Sequence, residues 1–203
     1  MEKSTPVNNF DLIKNLLSFD NEHEFYFLQI IQRKKDHKQG GILGTSNNSR
    51  LIRAYYIYSG EQVEKYKPEI IALCDLFGAR AGIGLNKRNA QVLSLEMIAL
   101  LAQNIKSNHF KQLGSLYNTI CGLHYVSKDK NWILDVDGSN DFTEGQLRLF
   151  LEFQEPKGDK VLAKVPSKNG YHLIVKPFDA RNFGECFKTV EVHKNNPTNL
   201  YIP

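Results

Sequence analysis

The sequence predicts an α+β protein of two lobes. A mixed α/β lobe covers residues 1–130, a βαββαβ lobe of ferredoxin-like type covers 131–203, and the two form one domain overall. Three observations predict it. Runs rich in aromatic and β-branched residues alternate with apolar runs at helical spacing along the chain. Hydrophobic residues make up 41% of the 203, enough to bury a core and too many for disorder. From residue 131 onward the order of elements is strand, helix, strand, strand, helix, strand, which is the split βαβ arrangement.

In the first lobe, Phe10, Leu12, Ile13, Leu16 and Leu17 recur at helical spacing and predict a short amphipathic helix. Phe25 to Gln32 reads as a buried strand. It runs into Arg33-Lys34-Lys35-Asp36-His37-Lys38-Gln39-Gly40-Gly41, a loop by composition. This loop is either a solvated charge run or a phosphate-contacting segment beside a nucleic-acid groove. A turn at Asn47-Asn48-Ser49 precedes a strand from Leu51 to Tyr58. Glu61 to Phe77 is helical, with Pro68 starting or kinking its second half and Gly78 as its C-cap. Ala79 to Leu85 is a third strand, whose small residues suit close approach by backbone or ligand. Asn89 caps a long helix from Ala90 to Ser107. Val92, Leu93, Leu95, Met97, Ile98, Leu100, Leu101 and Ile105 predict that this helix is buried on more than one side. A further apolar helix spans His109 to His124.

In the second lobe, strands are expected at Trp132–Asp137, Lys160–Val165, Tyr171–Lys176 and from Val190 to His193. Helices are expected from Thr143 to Phe153 and from Ala180 to Thr189, and a tight turn at Pro166–Gly170. Leu200-Tyr201-Ile202-Pro203 reads as a strand that needs neighbours.

A net charge of +4 and a pI near 8.8 permit an anionic partner without demanding one. Cys74, Cys121 and Cys186 form no CxxC pair, so buried free thiols are expected rather than a zinc knuckle. No apolar run approaches the roughly 18 residues that a membrane span needs, and Met1 to Pro6 lacks a signal-peptide core. The expectation is a soluble cytoplasmic protein with no membrane contact.

The chemistry centres on Trp132-Ile133-Leu134-Asp135-Val136-Asp137. Period-2 alternation puts Asp135 and Asp137 on one face and Val136 on the other. Adjacent carboxylates repel unless a cation lies between them, and hard divalent cations take oxygen ligands. The pair therefore reads as a Mg²⁺ or Mn²⁺ site, or as two solvated carboxylates before a Gly138-Ser139-Asn140 turn. In the split βαβ topology the strand bearing Glu191 lies close enough for that acid to join them. His172 sits on a hairpin of the same sheet, in a Gly170-Tyr171-His172 context that lets backbone approach a ligand while the ring meets a phosphate.

Three motifs then carry a resemblance. Asp135-Val136-Asp137 is an acidic pair ending an apolar strand. Gly170-Tyr171-His172-Leu173-Ile174 is a small residue, any residue, then His, followed by apolar residues. Val190-Glu191 is an apolar residue and an acid on a later strand, ahead of the polar His193-Lys194-Asn195-Asn196. In order and spacing the chain resembles the archaeo-eukaryotic primase superfamily, which includes the primase-polymerases. The motifs cover residues 130–203, and the first lobe is similar only in architecture. Glu191 stands where the family usually has Asp, and Asp179 competes for that role.

The resemblance implies a two-lobed primase-like fold with an RRM-like catalytic lobe. It implies nucleotidyl transfer from NTP or dNTP on a single-stranded DNA or RNA template, in the replication of a mobile element. Asp135, Asp137 and Glu191 would hold two Mg²⁺ or Mn²⁺ ions. His172, Gly170 and Lys168 would meet the phosphates of the nucleotide. Arg80, Lys87 and Arg88 would face nucleotide or template across the cleft, and a replication helicase would be a further partner. Two other functions use the same residues. One is a non-catalytic RRM-like nucleic-acid-binding module in which aromatic residues such as Tyr171 stack on bases. The other is a metal-dependent nuclease or a nucleotidyltransferase of another kind.

Overall fold

The structure is a computed structural model that describes residues 5–33, 49–123, 130–138 and 141–203, without the side chains of 141–143. The expected turn at Asn47-Asn48, most of the basic loop including His37, and His124, Ser139 and Asn140 lie outside the described residues.

The chain runs β1 (Val7–Asn8), α1 (Phe10–Lys14), β2 (Glu24–Gln32), β3 (Arg50–Ile57), α2 (Gly60–Phe77), β4 (Arg80–Ile83), β5 (Arg88–Asn89) and α3 (Ala90–Lys106). A 3₁₀ turn (Phe110–Ser115) and α4 (Leu116–Leu123) complete this part. Then follow β6 (Trp132–Asp137), α5 (Asp141–Phe153), β7 (Val161–Pro166), β8 (Gly170–Val175), α6 (Phe183–Cys186), β9 (Val190–His193) and β10 (Thr198–Ile202). The class is α+β, built on two antiparallel sheets. No described helix is long and apolar enough to cross a membrane.

The first sheet has the order β1-β10-β4-β2-β3, with β5 also paired to β2. β2 lies inside it and buries residues on both faces. Tyr26, Leu28 and Ile30 point into the main core, while Phe25 and Phe27 pack with Leu93 of α3 and Leu116 and Ile120 of α4. α2 closes the main core with Val63, Ile70 and Cys74. Its ends follow capping chemistry. The Ser59 side chain accepts from the Gln62 amide, and Gly78 takes the left-handed conformation (φ 56°). The helix runs on through Pro68 without a break.

The second sheet has the order β7-β8-β6-β9, the strand order of the split βαβ unit. On one face Leu134, Val136, Leu173 and Val175 pack under Leu147 and Leu151 of α5 and Phe183 of α6. On the other face Ile133, Val165 and Ile174 join the same core as Leu28, Ile30, Ala81 and Leu200 of the first sheet. The two sheets thus share one core.

Four expectations change. α3 buries only Leu93 fully, and Val92, Leu95, Ile98 and Ile105 are exposed, because among the described residues packing is offered from one side alone. The helix expected over 109–124 begins as a 3₁₀ turn containing Gly114, a weak helix former. The helix expected from Ala180 shrinks to Phe183–Cys186, where Phe183 anchors it and Gly184 weakens it. Lastly, the strand at 198–202 belongs to the first sheet, between β1 and β4, although it follows the βαββαβ segment in the chain.

Candidate functional site

The site lies where the shared core gives way to polar residues. On the inner face of the second sheet, Ile133 lies opposite Ile174 and His193, one on each side. Two residues further along β6, Asp135 lies opposite His172 on β8 and Glu191 on β9. Two residues further again, Asp137 lies opposite Gly170. Because strand side chains alternate, Asp135, Asp137, His172 and Glu191 share the face of Ile133 and look toward the first sheet.

They line a cleft of about 290 Å³. The second sheet and its hairpin contribute Asp135, Asp137, His172, Thr189, Glu191 and the turn residues Ser167, Lys168 and Asn169. Across from them stand Arg33, which follows β2, Arg80 of β4 and Asn199 of β10. Three carboxylates therefore meet three cationic side chains in one cavity. Of the residues singled out from sequence, Asp135, Asp137, Glu191, His172, Lys168 and Arg80 come together here.

His172 is almost buried. Its Nδ1 is 2.9 Å from Thr198 Oγ1, and its Nε2 is 3.4 Å from Asp135 Oδ1 and 3.3 Å from Asn199 Nδ2. Burial lowers its pKa from the ordinary value, and the neighbouring Asp135 carboxylate opposes that shift without reversing it. The shift favours the uncharged imidazole, a hydrogen-bonding group rather than a fixed cation.

Gly170 lines no part of the cleft. Its role is to bring β8 against β6. A Cβ there would overlap the Val136 carbonyl oxygen and lie 2.9 Å from the Gly138 nitrogen. The Gly138 amide donates to Asn169 O (2.8 Å), and the Ser167 amide donates to Gly170 O (2.9 Å), so the turn that carries Lys168 is tied to the end of β6.

Two cations expected at the site are elsewhere. Lys87 pairs with Asp20 at 3.0 Å and Glu24 at 3.5 Å. Arg88 is buried, donating to the Cys121 carbonyl at 3.0 Å, to Asn195 Oδ1 at 3.2 Å and to the Asn86 carbonyl, so it ties the first lobe to the segment after β9. Gly84 packs on its guanidinium (3.1 Å from a Cβ placed there), which accounts for one of the small residues after Ala79. Asp179 is also absent from the cleft. Arg181 grips its carboxylate and holds its pKa down to about 2, beyond the far end of β8 from His172. The third acid in the cleft is Glu191.

Burial pushes the thiol of Cys74 up to about 12 and that of Cys121 up to about 11, the latter opposed by Arg88, so both are inert at neutral pH. Cys186 is exposed, against the expectation of burial.

The donor chemistry of Asp135, Asp137 and Glu191 suits a hard divalent cation, and Asp135 and Glu191 are directly opposed across two strands. Cross-strand neighbours of this kind have Cβ atoms about 5 Å apart, close enough to share an ion. Glu191 instead pairs with His193 Nε2 at 3.3 Å, its side chain 76% exposed. Among the described residues no three acidic, His or Cys side chains converge to hold a metal ion. The residues fit the ion in kind and register, but with Glu191 turned to His193 the set is not assembled among the described residues.

Sequence reasoning did not single out Thr189, Thr198 or Asn199. The last two are buried polar residues at the head of an apolar strand, and that pattern is the signal that could have found them. No family model, no curated protein and no solved structure matches this chain.

Proposed function

We propose that the chain is a template-directed nucleotidyltransferase of the primase-polymerase kind, adding nucleotides from NTP or dNTP on a single-stranded DNA or RNA template. The observation that supports this reading is the meeting of Asp135, Asp137 and Glu191 with Arg33, Arg80 and Lys168 in one cleft that His172 also lines. A triphosphate carries charge that Arg33 and Arg80 would neutralise from the first sheet and Lys168 from the hairpin turn of the second, while the acids face the reacting end. Once a metal ion engages Asp135, His172 would be left to offer its Nε2–H to a phosphate oxygen without adding a fixed charge. Asp135, Asp137 and Glu191 would hold Mg²⁺ or Mn²⁺, which would supply activation of the attacking hydroxyl and neutralisation of the leaving pyrophosphate. The polar lining of the cleft suits phosphate and sugar.

The test uses purified protein, a single-stranded template, labelled nucleotides and Mn²⁺ or Mg²⁺, with products resolved by length. Extended or newly made strands are expected. Asp135→Ala with Asp137→Ala abolishes them while leaving the circular dichroism unchanged. No incorporation on any template with either metal would sink the reading, and shortened template strands would mark a nuclease.

One observation favours a second reading, a nucleic-acid-binding module without catalysis. Glu191 is engaged with His193 and no three-ligand cluster is formed among the described residues. This reading requires single-strand binding that persists in chelator and survives loss of both aspartates.

A further inference from the structure

We propose that Thr198 is the positioning residue for His172: its hydroxyl donates to Nδ1 and so keeps the Nε2–H of the ring aimed at Asp135 and the cleft. The proposal rests on the reading of the cleft as a nucleotide site, and it adds the last strand of the first sheet to the working parts of that site.

Thr198 is completely buried. A buried hydroxyl is costly unless it is hydrogen-bonded, and valine would fill the same β-strand position without that cost. The hydroxyl has a partner, His172 Nδ1 at 2.9 Å, which belongs to the other sheet. The second ring nitrogen faces Asp135 Oδ1 at 3.4 Å. A carboxylate accepts hydrogen bonds and cannot donate, so the matched arrangement puts the ring proton on Nε2 and leaves Nδ1 to accept from Thr198. Asn199 then turns its amide oxygen to Nε2, where its nitrogen stands at 3.3 Å, an exchange of two atoms of the same shape.

The support behind Thr198 is firm. β10 is paired on both sides, with β1 and β4. The Asn9 side chain donates to Asn199 O and to Pro166 O, both at 2.9 Å, tying β10 to the end of β7. Thr198 is thus fixed by the first sheet and acts on a ring held by the second. The ring orientation reports the seating of one sheet on the other.

The test reads the ring directly. Long-range proton–nitrogen NMR spectra of ¹⁵N-labelled protein give the tautomer of His172, with the signal assigned by its loss in His172→Asn. In the wild type the proton is expected on Nε2. Thr198→Val is expected to yield a tautomer mixture and to raise the nucleotide KM about tenfold, with kcat changed less than about threefold, as for loss of one hydrogen bond that acts on binding. Thr198→Ser, which keeps the hydroxyl, restores both. A wild-type ring protonated on Nδ1 overturns the proposal, and so does a Thr198→Val protein with the wild-type His172 spectrum. The wild-type spectrum decides even if Thr198→Val fails to fold. Absence of any polymerisation counts against the proposed function and leaves the tautomer result standing by itself.

Discussion

At the residue scale, Gly170 and His172 separate two ways in which a short motif acts. Gly170 is where β8 touches β6, and a methyl group has no room beside the Val136 carbonyl. Both neighbours, the Val136 carbonyl and the Gly138 nitrogen, are backbone atoms, which cannot step aside cheaply. Gly170→Ala is expected to lose roughly 2–4 kcal/mol of stability, seen as a lower urea midpoint. An unchanged midpoint would contradict the close approach. For His172 the pH dependence has a definite sign. Burial holds its folded pKa below the ordinary value near 6.5. Above that value both states are neutral and the full stability is present. As pH falls below it, the unfolded chain takes up a proton first, and folded stability drops until the pH passes below the folded pKa. His172→Gln is expected to flatten this acid-side decline, measured as unfolding free energy from pH 7 downward. A decline equally steep in the variant would show that other groups cause it. Asp179 illustrates how a nearby carboxylate drops out of contention. Its Arg181 partner is two residues away, and Asp179→Ala should leave nucleotide incorporation within twofold of wild type.

At the element scale, α3 shows how far packing departs from composition. Its apolar residues run around the helix, yet Leu93 alone is fully buried, and Leu95 and Ile98 are 64% and 63% exposed. Leu93→Ala is expected to cost about 2–5 kcal/mol. Leu95→Glu should change stability by less than about 0.5 kcal/mol. Denaturant titration of the two variants checks the contrast, and comparable losses would mean that both faces are covered. The same comparison explains why the sequence reading of this helix overshot. Periodicity reports which residues are apolar and on which face they lie, while burial also needs an opposing surface. α6 overshot for a related reason: an apolar aromatic pair, Phe183 and Phe187, packs in the second core, but only four residues take helical geometry.

At the scale of the molecule, the two sheets depend on each other. Ile133, Val165 and Ile174 from the second sheet sit in one core with Leu28, Ile30 and Leu200 from the first. β10 follows the βαββαβ segment in sequence and pairs in the other sheet. A fragment of residues 131–203 alone is therefore expected to lack a cooperative unfolding transition, because Ile133, Val165 and Ile174 lose their cover and β10 loses both neighbours. The 203-residue chain should unfold in a single step by circular dichroism and fluorescence alike. A fragment that melts cooperatively would show that the lobes are independent.

The sequence by itself determined the alternation that builds the strands, the βαββαβ order and the placement of Asp135 and Asp137 on one face. These follow from local geometry, since the period of a strand is two and β6 is short and apolar. It also carried Glu191 and His172 to the same sheet through the strand order of that topology. Only the tertiary structure decided which cations reach the cleft. Lys87 and Arg88 adjoin a turn and look available in sequence, but Asp20, Glu24, Cys121 and Asn195, distant in the chain, hold them elsewhere. It likewise decided that β10 crosses to the first sheet and brings Thr198 to His172, 26 residues away in sequence. Pairing between remote strands depends on the shared burial of both sheets, a property of the folded whole that no local pattern encodes.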